Sequence, residues 1–596
     1  MRIIITDNRI HDIISLSRRA FGCYRWQIVV LTLLGFVGGL LEGVGINAII
    51  PLFSFITGGE QGSDFISRVI RKAFAIAHVD FNLVYLLLFI CAMFIGKAIV
   101  LAVFSYIQIK INTDYEEQTR NELFQATLAS SWGHLLKQKL GHLETILMTD
   151  VTRSGQMFKL ISALIMGATG LIMYIAVAVN ISLDITLITL VLGSILFLFL
   201  KPLMYRTRKA AYITAEMNKD VNHYVSENIL GMKTVKSLSV HEPIAQKGAE
   251  YFYKLKKLKM VVFLLSSVSS VIMQPISLIF ICVVFFVSYQ SPYFSFAVLA
   301  AIVYLIQRMF QYIQQLQSDL HTMNETLPYL KSVLEHQERL AKNAEAGGGL
   351  TRVVFEHSLE FQDVSFSYDS HRNVLKKVNF SIRKGEMVGL IGRSGAGKTT
   401  VVDLLLRLFT PARGSILLDG KDIREISLSQ WRKRVGYVSQ DIFLMNDTIA
   451  NNIRFYQSDL SNEEVEEAAK MANIYNFIQS CPDGFETIIG ERGVMVSAGQ
   501  RQRIIIARVL ARKPTILILD EATSALDNES EVKIQKVIEN LKGKITVLVV
   551  AHRLSTIVNA DRLLVLDNGT IIEEGTPTAL LKDKESYFYK MYNIRH

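Results

Sequence analysis

Charge is scarce in this sequence. Asp, Glu, Lys and Arg make up 20% of the 596 residues, against 50% hydrophobic residues, and mean hydropathy is +0.29. Proline occurs ten times and tryptophan three times. That composition excludes intrinsic disorder, which needs low hydrophobicity, and collagen, which needs glycine at every third position. The four cysteines, Cys23, Cys91, Cys282 and Cys481, are scattered without disulfide or metal-ligand spacing, which excludes an oxidised scaffold or a zinc framework. A net charge of +10 is compatible with nucleic acid. In a chain that spans a membrane, however, basic excess collects in cytoplasmic loops, so no nucleic-acid partner is expected.

What is present is a set of long apolar runs. About 20 apolar residues in a helix cross a hydrocarbon core of about 30 Å. Six segments qualify: Trp26–Ile56, Leu83–Ile107, Phe158–Val179, Ile185–Leu200 (extendable through Pro202 to Tyr205), Val261–Val287 and Phe294–Phe310. The first is too long for a signal peptide and lacks a small-residue cleavage site. The turns Asn180–Asp184 and Tyr289–Tyr293 contain no Lys or Arg, whereas Lys201–Met260 carries twelve and the N-terminal stretch carries Arg2, Arg9, Arg18, Arg19 and Arg25. Positive residues stay inside, so the N-terminus and everything after the sixth span are expected in the cytoplasm. The first outer loop is a mild exception: its Arg68, Arg71 and Lys72 are balanced by Glu60, Asp64 and Asp80.

The two cytoplasmic loops read as helical over Tyr115–Ala129 and Ala210–Ile229, extending the spans below the membrane. His11–Phe21 reads as an amphipathic segment on the inner surface. Gln311–Ala341 continues the sixth span as polar helix, and Asn343–Gly349, rich in glycine, reads as a flexible linker. Beyond it, short β-branched runs alternate with helical ones, as in an α/β domain. The expected organisation is a membrane domain over 1–342, a linker over 343–350 and an α/β domain over 351–596.

Gly392-Arg393-Ser394-Gly395-Ala396-Gly397-Lys398-Thr399 is a complete phosphate-loop pattern, after a strand predicted over Met387–Ile391 and before a helix predicted over Thr400–Leu408. Glycines let backbone N–H groups wrap phosphates, Lys398 reaches the β- and γ-phosphates, and Thr399 can ligate Mg²⁺. Further on, Ile516–Leu519 reads as a buried parallel strand ending in Asp520 and Glu521. The first acid suits Mg²⁺ and the second suits polarising an attacking water. Alone, such a run is more often a plain strand end; its place after a phosphate loop gives it weight.

Between and beyond these lie Gln440 after the strand Val435–Ser439, Val496-Ser497-Ala498-Gly499-Gln500 followed by Arg501-Gln502-Arg503, Ser524-Ala525-Leu526-Asp527, and His552 after the strand Thr546–Val550. This order resembles the ATP-binding-cassette ATPases over all of 351–596. Six spans ahead of the cassette, with Thr487–Glu491 before the signature, resemble the exporter branch. The fold class implied is a multi-domain membrane protein, an α-helical six-span transmembrane domain joined to an α/β P-loop ATPase domain.

The resemblance implies roles. ATP and Mg²⁺ are the cofactors. Tyr368 stacks on adenine, and Gly392, Ser394, Gly395, Gly397, Lys398, Thr399 and Thr400 hold the phosphates. Thr399, Gln440 and Asp520 attend Mg²⁺; Glu521 is the catalytic base, His552 contacts the γ-phosphate, and Gln440 couples the site to the membrane domain. Ser497 and Gly499 contact ATP on an opposite cassette, and Gln500 and Asp527 belong to the nucleotide site as well, so the chain is expected to dimerise, as a homodimer with a heterodimer as the alternative. The signature departs from the family's Leu-Ser-Gly-Gly-Gln: Ala498 adds a methyl near the phosphate, and a slower but working site is expected. Short helices near Ser131–Lys137 and Gly231–Ser237 are expected to transmit closure of the cassettes to the spans.

Charges inside spans mark functional sites by default. Here they are Glu42, Lys97 and Arg308. One reading makes them an internally neutralised pair with a snorkelling arginine; the other makes them a cationic surface for a phosphate-bearing lipid. Leu40–Ile46, with Pro51, is similar to first spans of lipid-linked-oligosaccharide flippases. The expected activity is therefore ATP-driven export or flipping of an amphipathic substrate, a lipid or lipid-linked oligosaccharide first, in a bacterial inner membrane. Peptide or drug export is the alternative, and a nucleotide-gated channel or regulator the alternative of another class.

Overall fold

Apolar runs of this length satisfy their backbone groups in a bilayer only as helix, and helix is what they form. In the computed structural model, the residues described are 9–48, 52, 71, 72, 74–76, 78–181, 183–289, 296–345, 347, 349, 354–368, 373–522, 527–551 and 557–594. The chain divides into two compact units, Met1–Ser130 with His134–Ala344, and Ser131–Gly133 with Glu345–His596.

The first unit is helical: α1 Arg9–Phe21, α2 Arg25–Asn47, α3 Leu83–Leu128, α4 Val151–Ile181, α5 Leu183–Leu230, α6 His241–Tyr289 and α7 Phe296–Lys342, with short helices at Leu140–Thr145 and Met232–Ser237; a further short helix, Trp132–Leu135, falls at the division between the units. The six expected spans fall on α2 to α7. Parts of the first and sixth, Pro51 and most of the first outer loop lie outside the described residues. Three described helical runs, Ile13–Gly45, Leu83–Leu128 and Gly141–Val179, are long and apolar enough to cross a membrane by themselves. The fourth and fifth spans contribute the shorter apolar stretches Thr186–Ile195 and Pro275–Phe286.

The loop segments read as helical are continuous with the spans, in α3 and α5. Helix α7 packs along α4 and α5, α6 along α5, and α2 along α3 and α4. Phe21, Tyr115, Met157, Phe158, Leu327 and Leu330 form a shared apolar core. Gly170 on α4 lets α7 approach, because a Cβ there would stand 2.6 Å from the Tyr312 ring; small residues serve membrane helices this way. The linker is more tied than its composition suggested. Ala344 forms a β-bridge with Ser130, and Gly349, at φ +138°, sits where a Cβ would meet the Glu425 carbonyl at 2.4 Å.

The second unit holds two sheets. Strands β1 Ser358–Phe366, β2 Leu375–Arg383, β4 Arg413–Leu418 and β5 Lys421–Asp422 form an antiparallel sheet ordered β2-β1-β4-β5. Strands β3 Met387–Ile391, β6 Val435–Val438, β7 Ile516–Asp520, β8 Thr546–Val550, β9 Arg562–Asp567 and β10 Thr570–Gly575 form the other, ordered β10-β9-β3-β8-β7-β6. Its four inner pairings from β9 to β6 are parallel and β10 closes it antiparallel. Strands β3, β7 and β8 are buried throughout, which is why they read as unbroken apolar runs. The separate antiparallel sheet was not read from the sequence, where β1 and β2 merge into one mixed stretch.

Helices α8 Lys398–Leu405, α9 Ala498–Leu510 and α10 Asn528–Leu541 carry the motif residues. Helix α8 begins two residues earlier and ends three earlier than predicted. Arg407, at φ +52°, breaks the helical path that the apolar sequence continues through Leu408. Strand β6 likewise stops at Val438, one residue short of the predicted end.

Candidate functional site

In a parallel sheet ligands gather at the carboxyl ends of the strands, and the motif residues do so here. The phosphate loop follows β3, Gln440 follows β6, and Asp520 with Glu521 ends β7. Register places them together, since Leu390 and Asp520 both pair with Val550 of β8. His552, just beyond β8, and Ser524, Ala525 and Leu526 lie outside the described residues.

The loop is shaped to receive an anion. Gly392, Gly395 and Gly397 have φ of +157°, +79° and +108°. A Cβ on Gly392 would collide with the Leu566 carbonyl at 2.1 Å, and one on Gly397 with Leu375 at 2.7 Å. Only glycine permits this close wrapping. The Lys398 ammonium donates to the carbonyls of Gly392 and Arg393 at 2.9 and 3.0 Å, which holds a cation across the mouth of the loop. Ser394, Gly395 and Thr399 are exposed, at the N-terminus of α8, where backbone N–H groups and the helix dipole favour phosphate. The Tyr368 hydroxyl bonds with Thr400 Oγ1 and donates to Asp403, each at 3.1 Å. Its ring makes T-shaped contacts with Phe366 and Phe409 and remains 45% exposed, which leaves aromatic surface accessible at the site.

Asp520 is 4% exposed. Burial, with the charge of adjacent Glu521, pushes its carboxyl up to about 6; Tyr437 donates a hydrogen bond to it at 3.4 Å. A buried acid with so little internal compensation fits a cation ligand, so Asp520 and Thr399 suit Mg²⁺, which would neutralise phosphate charge when bound. Among the described residues no cluster of three or more His, Cys, Asp or Glu forms a separate metal site. Glu521 has φ +50°, a left-handed conformation rare for glutamate, and its N–H donates to the Val550 carbonyl at 2.9 Å. Such backbone strain accompanies functional positions. Gln440 is exposed, beside a cleft of about 420 Å³ lined by Tyr437, Ser439, Phe443 and Arg508 among others.

Ser497 opens α9 through a capping box: it accepts from the Gln500 N–H at 3.2 Å, and its own N–H donates to Gln500 Oε1 at 2.8 Å. Arg501 braces the preceding loop by donating to the carbonyls of Gly493 and Val496 at 3.2 and 2.8 Å. Gly499 is required by packing as well as by any ligand, since a Cβ there would meet Ser530 Oγ at 2.1 Å. Ala498 packs against the apolar core. Asp527 caps α10, accepting from the Ser530 N–H at 3.1 Å.

In the helical unit the three span charges converge. Glu42 on α2 is 2% exposed. Its Oε2 lies 2.9 Å from Lys97 Nζ on α3 and accepts from the Tyr312 hydroxyl on α7 at 2.8 Å; Oε1 lies 3.8 Å from Arg308 Nη2. Arg308 also donates to the Tyr304 hydroxyl at 2.9 Å and to Gln311 at 3.0 Å. The two sequence alternatives are thus joined in one cluster: Glu42 is neutralised internally, yet two cations share one acid. Tyr304 and Tyr312 were not singled out from sequence, although their four-residue spacing on either side of Arg308 puts all three on one helix face. Tyr437 and Ser530 carry no such signal.

Residues 375–524 match the ABC transporter family, and residues 28–292 match the ABC transporter transmembrane region. A putative multidrug export ATP-binding/permease protein, YgaD of Bacillus subtilis (strain 168), is 35% identical over 432 residues, 72% of this chain and 74% of that protein. An ATP-dependent lipid A-core flippase of Syntrophus aciditrophicus (strain SB) is 32% identical over 484 residues, 80% of each. A solved bacterial Atm1-family ABC exporter with ATP bound shares the fold at TM-score 0.79 and 23% identity, covering 98% of this chain and 99% of that one. The chain belongs to the ABC transporter family. It is a membrane-embedded exporter whose cassette binds ATP and couples ATP hydrolysis to translocation.

Proposed function

We propose that this transporter flips or exports an amphipathic, anion-bearing substrate, a lipid or lipid-linked oligosaccharide, across a bacterial inner membrane, with its N-terminus and cassette cytoplasmic. The observation that carries this reading is the Glu42 cluster. Lys97 and Arg308 together contribute two positive charges against one from Glu42, with Lys97 21% and Arg308 36% exposed. A net positive charge within membrane-spanning helices is costly unless an anion completes it. The name of the Syntrophus relative, a lipid A-core flippase, supports the same substrate class. The name of the Bacillus relative, a putative multidrug exporter, supports a second reading in which the substrate is a drug or peptide.

In the proposed mechanism two copies of the chain face each other. The phosphate loop and Lys398 of one hold ATP, Tyr368 carries the adenine, and the signature residues Ser497, Gly499 and Gln500, with Asp527, of the other copy close over the γ-phosphate. Ser497 Oγ accepts the capping bond from the Gln500 N–H, which leaves its own O–H to donate to phosphate, so the capping box keeps the motif ordered without competing with ATP. Glu521 orients and deprotonates the attacking water, His552 steadies the γ-phosphate, and Gln440 reports its loss. Thr399, Gln440 and Asp520 would hold Mg²⁺, which would neutralise phosphate charge when bound. Loss of the γ-phosphate contacts lets the cassettes part.

The test is ATP-dependent translocation of a lipid-linked oligosaccharide in proteoliposomes, with Glu521→Gln as control. Wild-type flipping that the variant abolishes is the expected result. Intact wild-type ATPase without lipid movement sinks the lipid reading and favours drugs or peptides.

A further inference from the structure

Near the ends of the fourth and fifth spans the chain carries a single sign of charge. From Lys201 to Ala215 there are four cations, Lys201, Arg206, Arg208 and Lys209, and no acid; from Tyr251 to Tyr289 there are Lys254, Lys256, Lys257 and Lys259, again without an acid. The first group lies on α5 and the second on α6, which run antiparallel against each other. Tyr224 sets their register: its hydroxyl donates to the Ile244 carbonyl at 2.7 Å and its ring stacks on Tyr251 at 5.0 Å. Gly248 stands beside the same ring. Counting about 1.5 Å per residue from that pairing puts Lys259 level with residue 213 on α5, just below Lys209. The eight cations therefore occupy successive levels of one strip about 25 Å long, starting where the apolar run of α5 ends.

Seven of the eight are exposed, and none pairs with a carboxylate among the described residues. Arg208, 9% exposed, has its Nε without a hydrogen-bond partner there. Aromatic rings accompany the charges. Lys254 lies over Tyr251 and Lys257 over Tyr253, at 5.9 and 4.6 Å, and Phe252, Tyr253 and Phe263 are exposed alongside. An ordinary solvated helix mixes signs. On α3, Asp114, Glu116, Glu117 and Glu122 accompany Lys110 and Arg120, and Arg120 pairs with Glu116 at 3.3 Å. The next cation along α5, Lys219, also has acids, Glu216 at 3.1 Å and Asp150 at 3.9 Å. On α5 the single-sign stretch ends at Ala215; by the same register Lys257 and Lys259 lie within it, whereas Lys256 and Lys254 are level with residues 216 and 218, where Glu216 begins the mixed-sign part of the helix.

We propose that this strip binds the headgroups of anionic phospholipids in the adjoining leaflet, with phosphate oxygens accepting from the lysines and arginines and the aromatic rings seated at the interface. The cations supply donors and the right sign for an anionic surface. The surface is separate from the Glu42 cluster and does not depend on which substrate is carried.

The experiment uses the full chain in phosphatidylcholine vesicles containing a minor fraction of phosphatidylglycerol. Electron spin resonance of spin-labelled phosphatidylglycerol and phosphatidylcholine reads the preference of each lipid for the protein surface. Wild type is expected to prefer phosphatidylglycerol about three- to fivefold. K254Q/K256Q/K257Q/K259Q and, separately, K201Q/R206Q/K209Q are expected to lower that preference, and K254R/K256R/K257R/K259R to keep it. All substituted side chains are exposed, and the two glutamine variants are independent, so either one that folds decides the matter. An undiminished preference in a folded glutamine variant overturns the proposal, including the case in which an acidic protein segment is the true occupant.

Discussion

Two buried acids at opposite ends of the chain are treated differently by their surroundings. Glu42 is enclosed by partners from its own unit: Lys97, Tyr312 and Arg308 converge on it from two other helices. Asp520 ends a buried strand with Tyr437 at 3.4 Å and another acid next to it. One acid is completed by the fold; the other is left with a demand that an external cation would meet. The contrast separates a charge that holds helices together from a charge that waits for a cofactor.

The same amide substitution should therefore give opposite signatures at the two sites. Asp520→Asn is expected to lower Mg²⁺-dependent ATPase by about 10²-fold or more, while thermal stability without Mg²⁺ holds or rises because a disfavoured buried charge is gone. Lower stability with activity retained would reverse the assignment. Glu42→Gln is expected to destabilise the helical unit by about 3–5 kcal/mol, the cost of leaving buried cations without their acid, with basal ATPase per folded molecule retained. A thermal unfolding scan in detergent checks this, and an unchanged midpoint would break the comparison.

Smaller effects test the packing beneath each site. Gly499→Ala should cost about 1–3 kcal/mol through collision with Ser530, and adding Ser530→Gly should recover part of it; no recovery would mean that the glycine is needed for another reason. In the helical unit, His336 on α7 lies beyond the sixth span. Burial, helped by Arg339, His134 and Lys219, pulls its imidazole down to about 4. The unfolded chain takes that proton near 6.5 and the folded chain only near 4, so its contribution to stability is full above about 6.5 and is lost as pH falls toward 4. His336→Leu should flatten that part of the stability profile, measured as unfolding midpoint against pH. An unchanged slope would assign the acid sensitivity elsewhere.

The smallest expected effect concerns Ala498. Its methyl packs on the apolar core, so Ala498→Gly should cost about 0.5–1 kcal/mol of stability. Any gain in ATPase would show that the methyl also crowds the nucleotide. Equal turnover in both would leave the departure from the usual signature purely structural.

The nucleotide site was legible because its parts are contiguous. A phosphate loop is one turn between one strand and one helix, and its glycines are demanded by local backbone geometry. Asp520 and Glu521 were legible for the same reason, as the end of a run too apolar to be anything but a buried strand. Ser530 was not, because its contact with Gly499 joins two helices across a packed interface. Tyr312 was not, because 270 residues separate it from Glu42; its four-residue spacing from Arg308 places it on that helix face but does not say which acid it meets.

From the chain alone followed the six-span plan, the cassette and its ATP-binding loop, since hydropathy and loop geometry act over tens of residues at most. Tertiary structure decided which of the span charges meet, how many cations share Glu42, and that two basic stretches forty residues apart form one strip. Those facts depend on helix register and close approach at residues such as Gly170 and Tyr224, and register is set by packing between segments that no local pattern connects.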